Sequence, residues 1–417
     1  MRITTILNQT LKFKSFTCKK AILTNNSIHV EIAAKKNCKA ICSICGTPSP
    51  GYDTLKKRLF EFIPMWGFKV FFEYAMRRVS CPKCQQIVVE KVPWSDGKNQ
   101  STHYHLAFLA HWAKHLSWKT VATIFGVDWH RVFAGVERAV TYGLANRSLV
   151  DVNAIGIDEI AWKKGHNYIT VIYQLDQGSR RLLGVVEKRT KKSLDSFFRE
   201  MNKAKKGFSK NLKVVCTDMW KPFINSIKEK AKNAINVIDH FHVKQKMNKA
   251  LDKVRASEVK RLKKEKKDPV LAKSRWCFLK RRGNLTRKQG VKLRELLKMN
   301  LTTVKAYLLI EQFEQFWEYK SPTWAGKFLE SWCDEVLKSN ILDLEPVVNM
   351  LKSHKDLLLN YFRANKKYNS GIVEGLNRNI NLSIRKAYGF RTFNVAKTCL
   401  FHQYGQLPEE IFTHRFW

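Results

Sequence analysis

The 417-residue sequence has no stretch of 18 or more apolar residues, which excludes a membrane-spanning helix. Its opening, MRITTILNQTLKFKSF, lacks the apolar core of a secretory leader, so a cytosolic protein is expected. Acid is also scarce. Only 35 Asp and Glu stand against 76 Lys and Arg, a formal charge of +41 with a pI near 10.0, and such a chain must attract a polyanion, with nucleic acid first among the candidates. With 44% hydrophobic and 12% aromatic residues it is not a disordered basic tail, and its length suggests about three domains. In a reducing compartment its ten cysteines read as thiols or metal ligands. Cys216, Cys277, Cys333 and Cys399 sit in apolar surroundings and are expected to pack.

Four cysteines are grouped. Cys42 with Cys45 and Cys81 with Cys84 form two Cys-x2-Cys knuckles, separated by residues that alternate in strand fashion. Four thiolates satisfy tetrahedral Zn²⁺ and leave no open position, so a structural zinc ribbon is expected over 1–98, with Cys38 a bystander. Its Lys56, Lys57, Arg58, Arg77 and Arg78 suit a DNA-contacting module. A helix-turn-helix is expected over 99–150. In SWKTVATIFGVDWHRVFAGVERAV, Ala122 permits close helix crossing, Gly126 makes the turn and Val132 anchors the second helix. Asp128 is expected to cap that helix, placing Trp129, His130 and Arg131 where side chains enter a major groove.

From residue 151 the pattern is three strands and then alternating helix and strand, the order of a ribonuclease-H-like mixed sheet. Asp158 in AIGIDEIAW and Asp218 in LKVVCTDMW each follow a short apolar run, at a strand end, while Glu374 in NSGIVEGLNRNI lies at a helix start. Carboxylates gathered in this way hold hard divalent cations. Two Mg²⁺ or Mn²⁺ ions on Asp158, Asp218 and Glu374 would activate a water or 3′-hydroxyl and stabilise the leaving oxygen of a phosphodiester. Glu159, Asp176 and Asp195 are expected at the surface or in caps. Asp239 and His242, in VIDHFHV, form an auxiliary pair at the end of the last strand, able to orient a phosphate or donate a proton. Beyond Glu374, Asn377, Arg378, Asn381, Arg385 and Lys386 would form a phosphate-facing stripe.

The intervening segment reads as helix throughout. Residues 244–298 hold 21 Lys and Arg against 5 Asp and Glu, a density that tracks a phosphate backbone. Of Trp276, Trp317, Trp324 and Trp332, most are expected in the core. The fold class is therefore multidomain α/β: a catalytic domain over 151–243 and 366–405, interrupted by a basic all-helical insertion over 244–365.

The two knuckles, the helix-turn-helix, GIDE at 156–159, TDMW at 217–220, DHFH at 239–242, GNLT at 283–286 and the block NSGIVEGLNRNINLSIRKAYGFRTF resemble the DDE transposases of bacterial insertion sequences, specifically the ISL-three family. The resemblance runs nearly end to end. It implies catalytic acids at Asp158, Asp218 and Glu374, the family's Asp-x-x-His signature at Asp239 and His242, and zinc ligands at Cys42, Cys45, Cys81 and Cys84. It also implies recognition of terminal inverted repeats in double-stranded DNA, hydrolysis there, and joining of the freed 3′-hydroxyls to target DNA. A homodimer or larger synaptic assembly would act on the nucleoid of a bacterial cytoplasm, with no membrane partner. Two other classes share parts of this sequence: a non-catalytic DNA-binding regulator derived from a transposase, and a ribonuclease-H-like junction nuclease.

Overall fold

The computed structural model of the protein describes residues 2–96, 99–163, 165, 167–367 and 371–410. It divides into two compact units, one built from residues through Arg147 together with those from Asn394 onward, the other from Ser148–Phe393.

The first unit is a five-stranded sheet with helices. After α1 (Ile3–Leu11) come β1 (Phe16–Leu23), β2 (Ser27–Ala34), the short pair β3 (Ala40–Ile41) and β4 (Pro48–Ser49), the long hairpin β5 (Gly51–Met65) and β6 (Phe68–Cys81), and β7 (Gln86–Val89). The sheet order is β1-β2-β6-β5, with β7 paired to β6. Alternation in β6 sends Val70, Phe72, Tyr74 and Met76 inward, as a half-buried strand requires. They join Leu7, Phe16 and Phe60 around Trp94, whose ring meets Phe16 edge-on at 4.9 Å.

Three helices follow: α2 (His103–His115), α3 (Trp118–Phe125) and α4 (Trp129–Asn146). Each starts on an oxygen-bearing cap, Thr102, Ser117 and Asp128, whose side chain accepts from a first-turn amide. Gly126 ends α3 at φ 59°, the left-handed conformation that glycine adopts without a Cβ penalty. The expected turn, the Asp128 cap, and buried Ala122 and Val132 are all observed.

In the second unit the strands are β8 (Ala154–Lys163), β9 (Asn167–Gln174), β10 (Leu182–Glu187), β11 (Val214–Thr217) and β12 (Ile235–Ile238), in the order β10-β9-β8-β11-β12. β8, β9 and β10 are antiparallel neighbours, while β11 runs parallel to both β8 and β12. Between strands lie α5 (Lys191–Ala204), α6 (Phe208–Asn211) and α7 (Lys221–Lys230). Leu194, Phe197 and Phe198 of α5 pack with Phe223 and Ile227 of α7 on Ile155, Ile172 and Val215 of the sheet.

A helical block then runs through α8 (His240–Lys264), α9 (Arg275–Leu279), α10 (Arg287–Leu296), α11 (Thr302–Phe313), α12 (Pro322–Lys338), α13 (Glu345–Ser353) and α14 (Lys355–Arg363). Its apolar core takes in Ile238, so the block grows directly out of β12. Asn360 of α14 donates to the Asn236 carbonyl at 2.8 Å, satisfying a backbone group on that edge strand. Buried Glu258 accepts from the Thr302 and Thr303 amides and the Thr303 hydroxyl; these bonds hold its carboxyl below the usual range against the opposing effect of burial. Trp332 is buried and Trp317 partly so, but Trp276 and Trp324 are exposed beneath Arg275 and Lys327, so only half of these rings belong to the core.

The chain closes with α15 (Gly371–Lys386) and α16 (Phe393–Tyr404). Helix α15 packs on β8. A Cβ on Gly156 would stand 2.7 Å from Val373 Cγ2, so only glycine lets α15 approach that strand. Residues from Asn394 onward cluster with the N-terminal unit, where the sequence assigned the stretch to 405 to the catalytic domain. Glu410 pairs there with Arg138 at 2.8 Å. No described helix is long and apolar enough to cross a membrane.

Candidate active site and metal centre

Strand register assembles the acids. Gly156 pairs with Cys216, and each lies two residues before an acid, Asp158 and Asp218. Thr217 pairs with Ile238, and each lies one residue before an acid, Asp218 and Asp239. Three carboxylates therefore stand side by side on three adjacent strands: Asp218 and Asp239 just past the ends of β11 and β12, but Asp158 in the middle of β8 and not at the strand end expected, because β8 continues its pairing with β9 as far as Lys163. Asp158, Thr217, Asp218, Asp239, His240 and His242 line one cleft, together with Val373 of α15.

Asp158 is half-buried, and its loss of solvation, with a smaller contribution from Asp239, pushes its carboxyl upward against the lowering effects of the Glu159 amide, His242 and Asn377. Its Oδ1 accepts from the Glu159 amide at 2.7 Å and its Oδ2 from the Asn377 side chain. Asp218 Oδ1 accepts from the Trp220 amide at 3.0 Å. Asp239 caps α8 through the Phe241 amide at 2.8 Å, with His242 Nε2 3.8 Å from its other oxygen. Asp239 therefore stands at the end of β12 as expected, while His242 lies in the first turn of α8, because the cap converts the exit of the strand directly into the helix. Buried Thr217 Oγ1 has no protein partner among the described residues. Glu374 lies in the first turn of α15, exposed, one residue after Val373 of the cleft. The three Asp carboxylates and the unpartnered hydroxyl are hard oxygen donors of the kind divalent cations take, but they are spaced apart: among the described residues only the four cysteines bring their ligand atoms within 4.8 Å of one another.

Three participants escaped the sequence. Glu159, expected at the surface, is nearly buried and ion-paired to Arg189 Nε at 2.5 Å, off the direction of a hydrogen bond. Burial and then the Asp218 charge push its carboxyl up to about 8. Arg189 in turn lies 4.2 Å over the ring of Trp220, a cation–π contact beside Asp218. Tyr173 of β9 donates to Asn377 at 2.7 Å. Residues 169–174 of β9 are buried without a break, and nothing in the sequence sets the Tyr173 hydroxyl apart from its neighbours. Asp176 and Asp195 hold local structure, accepting from the Asn153 amide and the Ser226 hydroxyl.

Asn377, placed by sequence in a phosphate-facing stripe, is instead turned toward Asp158 and Tyr173 by these bonds. Arg378, Asn381, Arg385 and Lys386 are all exposed along α15. On the helix-turn-helix, Trp129 and His130 are exposed at the start of α4, their rings 4.0 Å apart. Arg131 pairs instead with Glu61, a buried carboxylate on β5 that also takes Lys69 at 3.6 Å. Lys69 donates to the Gly126 carbonyl at 2.8 Å, which fastens the helical turn to the hairpin. Arg77 is likewise engaged, with buried Glu90 at 2.7 Å, and Arg78 pairs with Asp53. These three arginines have structural partners that the basic composition concealed.

The sulfurs of Cys42, Cys45, Cys81 and Cys84 all lie within 4.8 Å of one another, two from the loop between β3 and β4 and two from the end of β6 and the turn after it. Cys45 and Cys81 Sγ are 3.5 Å apart, and contacts with the Thr47 side chain and then its backbone lower the Cys45 thiol to about 6, toward the thiolate that a metal takes. Cys38 is outside the group, and Cys216, Cys277, Cys333 and Cys399 are buried as expected. Four clustered sulfurs with this spacing fit structural zinc.

The family profile described as "Transposase", of the ISL3 DDE type, matches residues 155–399. The transposase for insertion sequence element IS1001 of Bordetella parapertussis is 26% identical over 367 residues, covering 88% of each chain. That for IS1557 of Mycobacterium tuberculosis is 26% identical over 379 residues, covering 84% of this chain and 82% of its own. Among solved structures, the Drosophila P element transposase strand transfer complex aligns over 77% of this chain and 93% of its own at 9% identity, with a TM-score of 0.38, too slight a likeness to establish a shared fold. With its profile covering more than half of the sequence, the chain belongs to the ISL3 family of DDE transposases.

Proposed function

We propose that the protein binds the terminal inverted repeats of its insertion sequence, hydrolyses the DNA at the ends and joins the resulting 3′-hydroxyls to target DNA. The observation that carries this reading is the row of Asp158, Asp218 and Asp239 across three adjacent strands, with Val373, and hence the helix of Glu374, at the rim of the same cleft. The sheet order β10-β9-β8-β11-β12 supports a ribonuclease-H-like catalytic core, and the helical block from α8 to α14 reads as its insertion.

Asp158, Asp218 and Glu374 are the residues that would hold two Mg²⁺ or Mn²⁺ ions, which when bound activate the nucleophile and offset charge on the leaving oxygen. The Trp220 amide fixes the Asp218 carboxylate, while Asp239 caps α8 and stands 3.8 Å from His242 Nε2 at the same cleft. His242 is placed to hold or pass a proton at a phosphate oxygen. Arg378, Arg385 and Lys386 offer a cationic stripe for the backbone of the bound end, and the basic residues of 244–298 extend it. Trp129 and His130 are the readers at the head of α4, with Arg131 bracing that helix against Glu61. Zinc on the four cysteines would close the ribbon end of the hairpin. Two ends must be joined in one reaction, which calls for a dimer or larger assembly.

The test is incubation of purified protein with a plasmid carrying the native flanking DNA and Mg²⁺, with new 3′ ends mapped to the nucleotide. Metal-dependent 3′ ends at the outer edges of an inverted repeat, absent in Asp218→Ala, are expected. Binding to the flanks without cleavage in any divalent metal would point to a DNA-binding regulator. Cuts at branched structures regardless of sequence would point to a junction nuclease.

A further inference from the structure

We infer that Asn377 is a positioning residue, a joint that fixes the Asp158 carboxylate and docks α15, with Glu374, onto the catalytic sheet. The inference rests on the transposase reading above and adds to it how the third acid is held. Asn377 is bonded on both sides. Its Nδ2 donates to Asp158 Oδ2, and its Oδ1 accepts from the Tyr173 hydroxyl at 2.7 Å. An ionised carboxylate accepts only, so the amide nitrogen must face Asp158 and the amide oxygen is left for the hydroxyl. Tyr173 is fully buried on β9, and Gly156 Cα leaves room for Val373 one turn earlier on α15. The joint therefore spans three elements: β9, β8 and α15.

Spacing makes this joint matter for Glu374. Residues i and i+3 share a helix face, so locking Asn377 on Asp158 sets where Glu374 stands relative to the row of aspartates. Asp158 is also half-buried, and a carboxylate partly withdrawn from water costs free energy unless hydrogen-bond partners replace the lost hydration. The amide offsets that cost without adding charge, and it leaves the second lone pair of each oxygen free for an ion. A lysine or arginine at this position would offset it better but would compete with the cation. Asn377 is thus the uncharged outer partner that a metal-holding carboxylate needs.

The test uses the full-length protein and Mn²⁺, with a duplex carrying the gene's flanking DNA. Asn377→Ala is expected to raise the Mn²⁺ concentration for half-maximal cleavage, and the Mn²⁺ dissociation constant read by electron paramagnetic resonance, by about 10- to 100-fold. DNA affinity without metal should be unchanged. Tyr173→Phe, which removes one neutral hydrogen bond, should shift both in the same direction by roughly fivefold. Asn377→Asp keeps the acceptor for Tyr173 but sets a second carboxylate against Asp158, and should lose more than Asn377→Ala. If Asn377→Ala misfolds by circular dichroism, the Tyr173→Phe shift decides alone. Weakened DNA binding with parental Mn²⁺ dependence would make Asn377 a phosphate contact and overturn the inference, as would parental behaviour in both assays. Asp158→Ala is the control: if it still cleaves, the transposase reading fails; if it does not while Asn377→Ala is parental, only the joint fails.

Discussion

The two candidate metal centres of this protein are built on opposite plans. At the ribbon, four sulfurs from two knuckles already converge to within 4.8 Å and nothing is left over for a ligand. At the catalytic sheet the carboxylates are lined up by strand register, but each is held back by a neighbour: Asp158 by Asn377 and the Glu159 amide, Asp218 by the Trp220 amide, Asp239 by the first turn of α8. A closed set serves stability; a spaced set with backbone-oriented oxygens leaves coordination positions for water and phosphate. The contrast extends to charge. In the first unit Glu61 and Glu90 neutralise Arg131 and Arg77 inside the fold, whereas Arg385 and Lys386 stand at the open end of α15.

Breaking the open centre should have the largest effect. Asp158→Ala and Asp218→Ala are each expected to reduce strand cleavage on the order of 10³-fold or more, the scale of losing the electrostatic centre of a transfer reaction, with DNA affinity retained in a filter-binding assay. Breaking the closed centre should act on stability. Cys42→Ser or chelation should melt the ribbon end of the hairpin, lowering Tm and flank binding together, since structural zinc contributes folding free energy of about 10–16 kcal/mol in small zinc domains. Metal content by mass spectrometry of the native protein should show one zinc per chain, absent from the variant.

How much of this contrast the sequence disclosed depends on the kind of signal. Knuckle spacing, the helix cap at Asp128, and the apolar runs before Asp158 and Asp218 are local, and local patterns are legible. Strand pairing is also legible when alternation is clean, as in β6. What stayed hidden depends on partners distant in sequence. Arg131 meets Glu61 across 70 positions, Asn377 meets Asp158 across 219, and Glu159 was a surface acid until Arg189 and Trp220 folded beside it. Exposed Trp276 and Trp324 were misplaced because helical spacing marks a core face without saying which aromatic lies at its rim.

A smaller effect separates the cations of α15 from the neutralised ones. Replacing Arg378 and Arg385 with Ala should make end binding less dependent on salt, by about one unit of slope for each phosphate that the two side chains neutralise. Arg131→Ala should instead lower Tm, because it strands the buried Glu61 beside Lys69 alone. Smallest is a pH effect confined to the first unit. Burial first, then Lys114, lowers His402 to about 4 from an ordinary 6.5, and burial lowers His105 to about 3. The folded state thus binds fewer protons than the unfolded chain, so stability is full above pH 6.5 and falls as pH drops from there toward 4. His402→Gln should flatten that fall in a thermal melt series while leaving Tm at neutral pH and above unchanged.

The central claim, that Asp158 and Asp218 hold the metal that cuts DNA, is tested most directly by changing the ligand softness. Asp218→Cys, assayed for 3′-end formation on the flanking DNA, is predicted to be inactive in Mg²⁺ and to recover cleavage in Mn²⁺, which accepts a thiolate more readily than Mg²⁺ does. Undiminished cleavage by Asp218→Cys in Mg²⁺ would contradict the account.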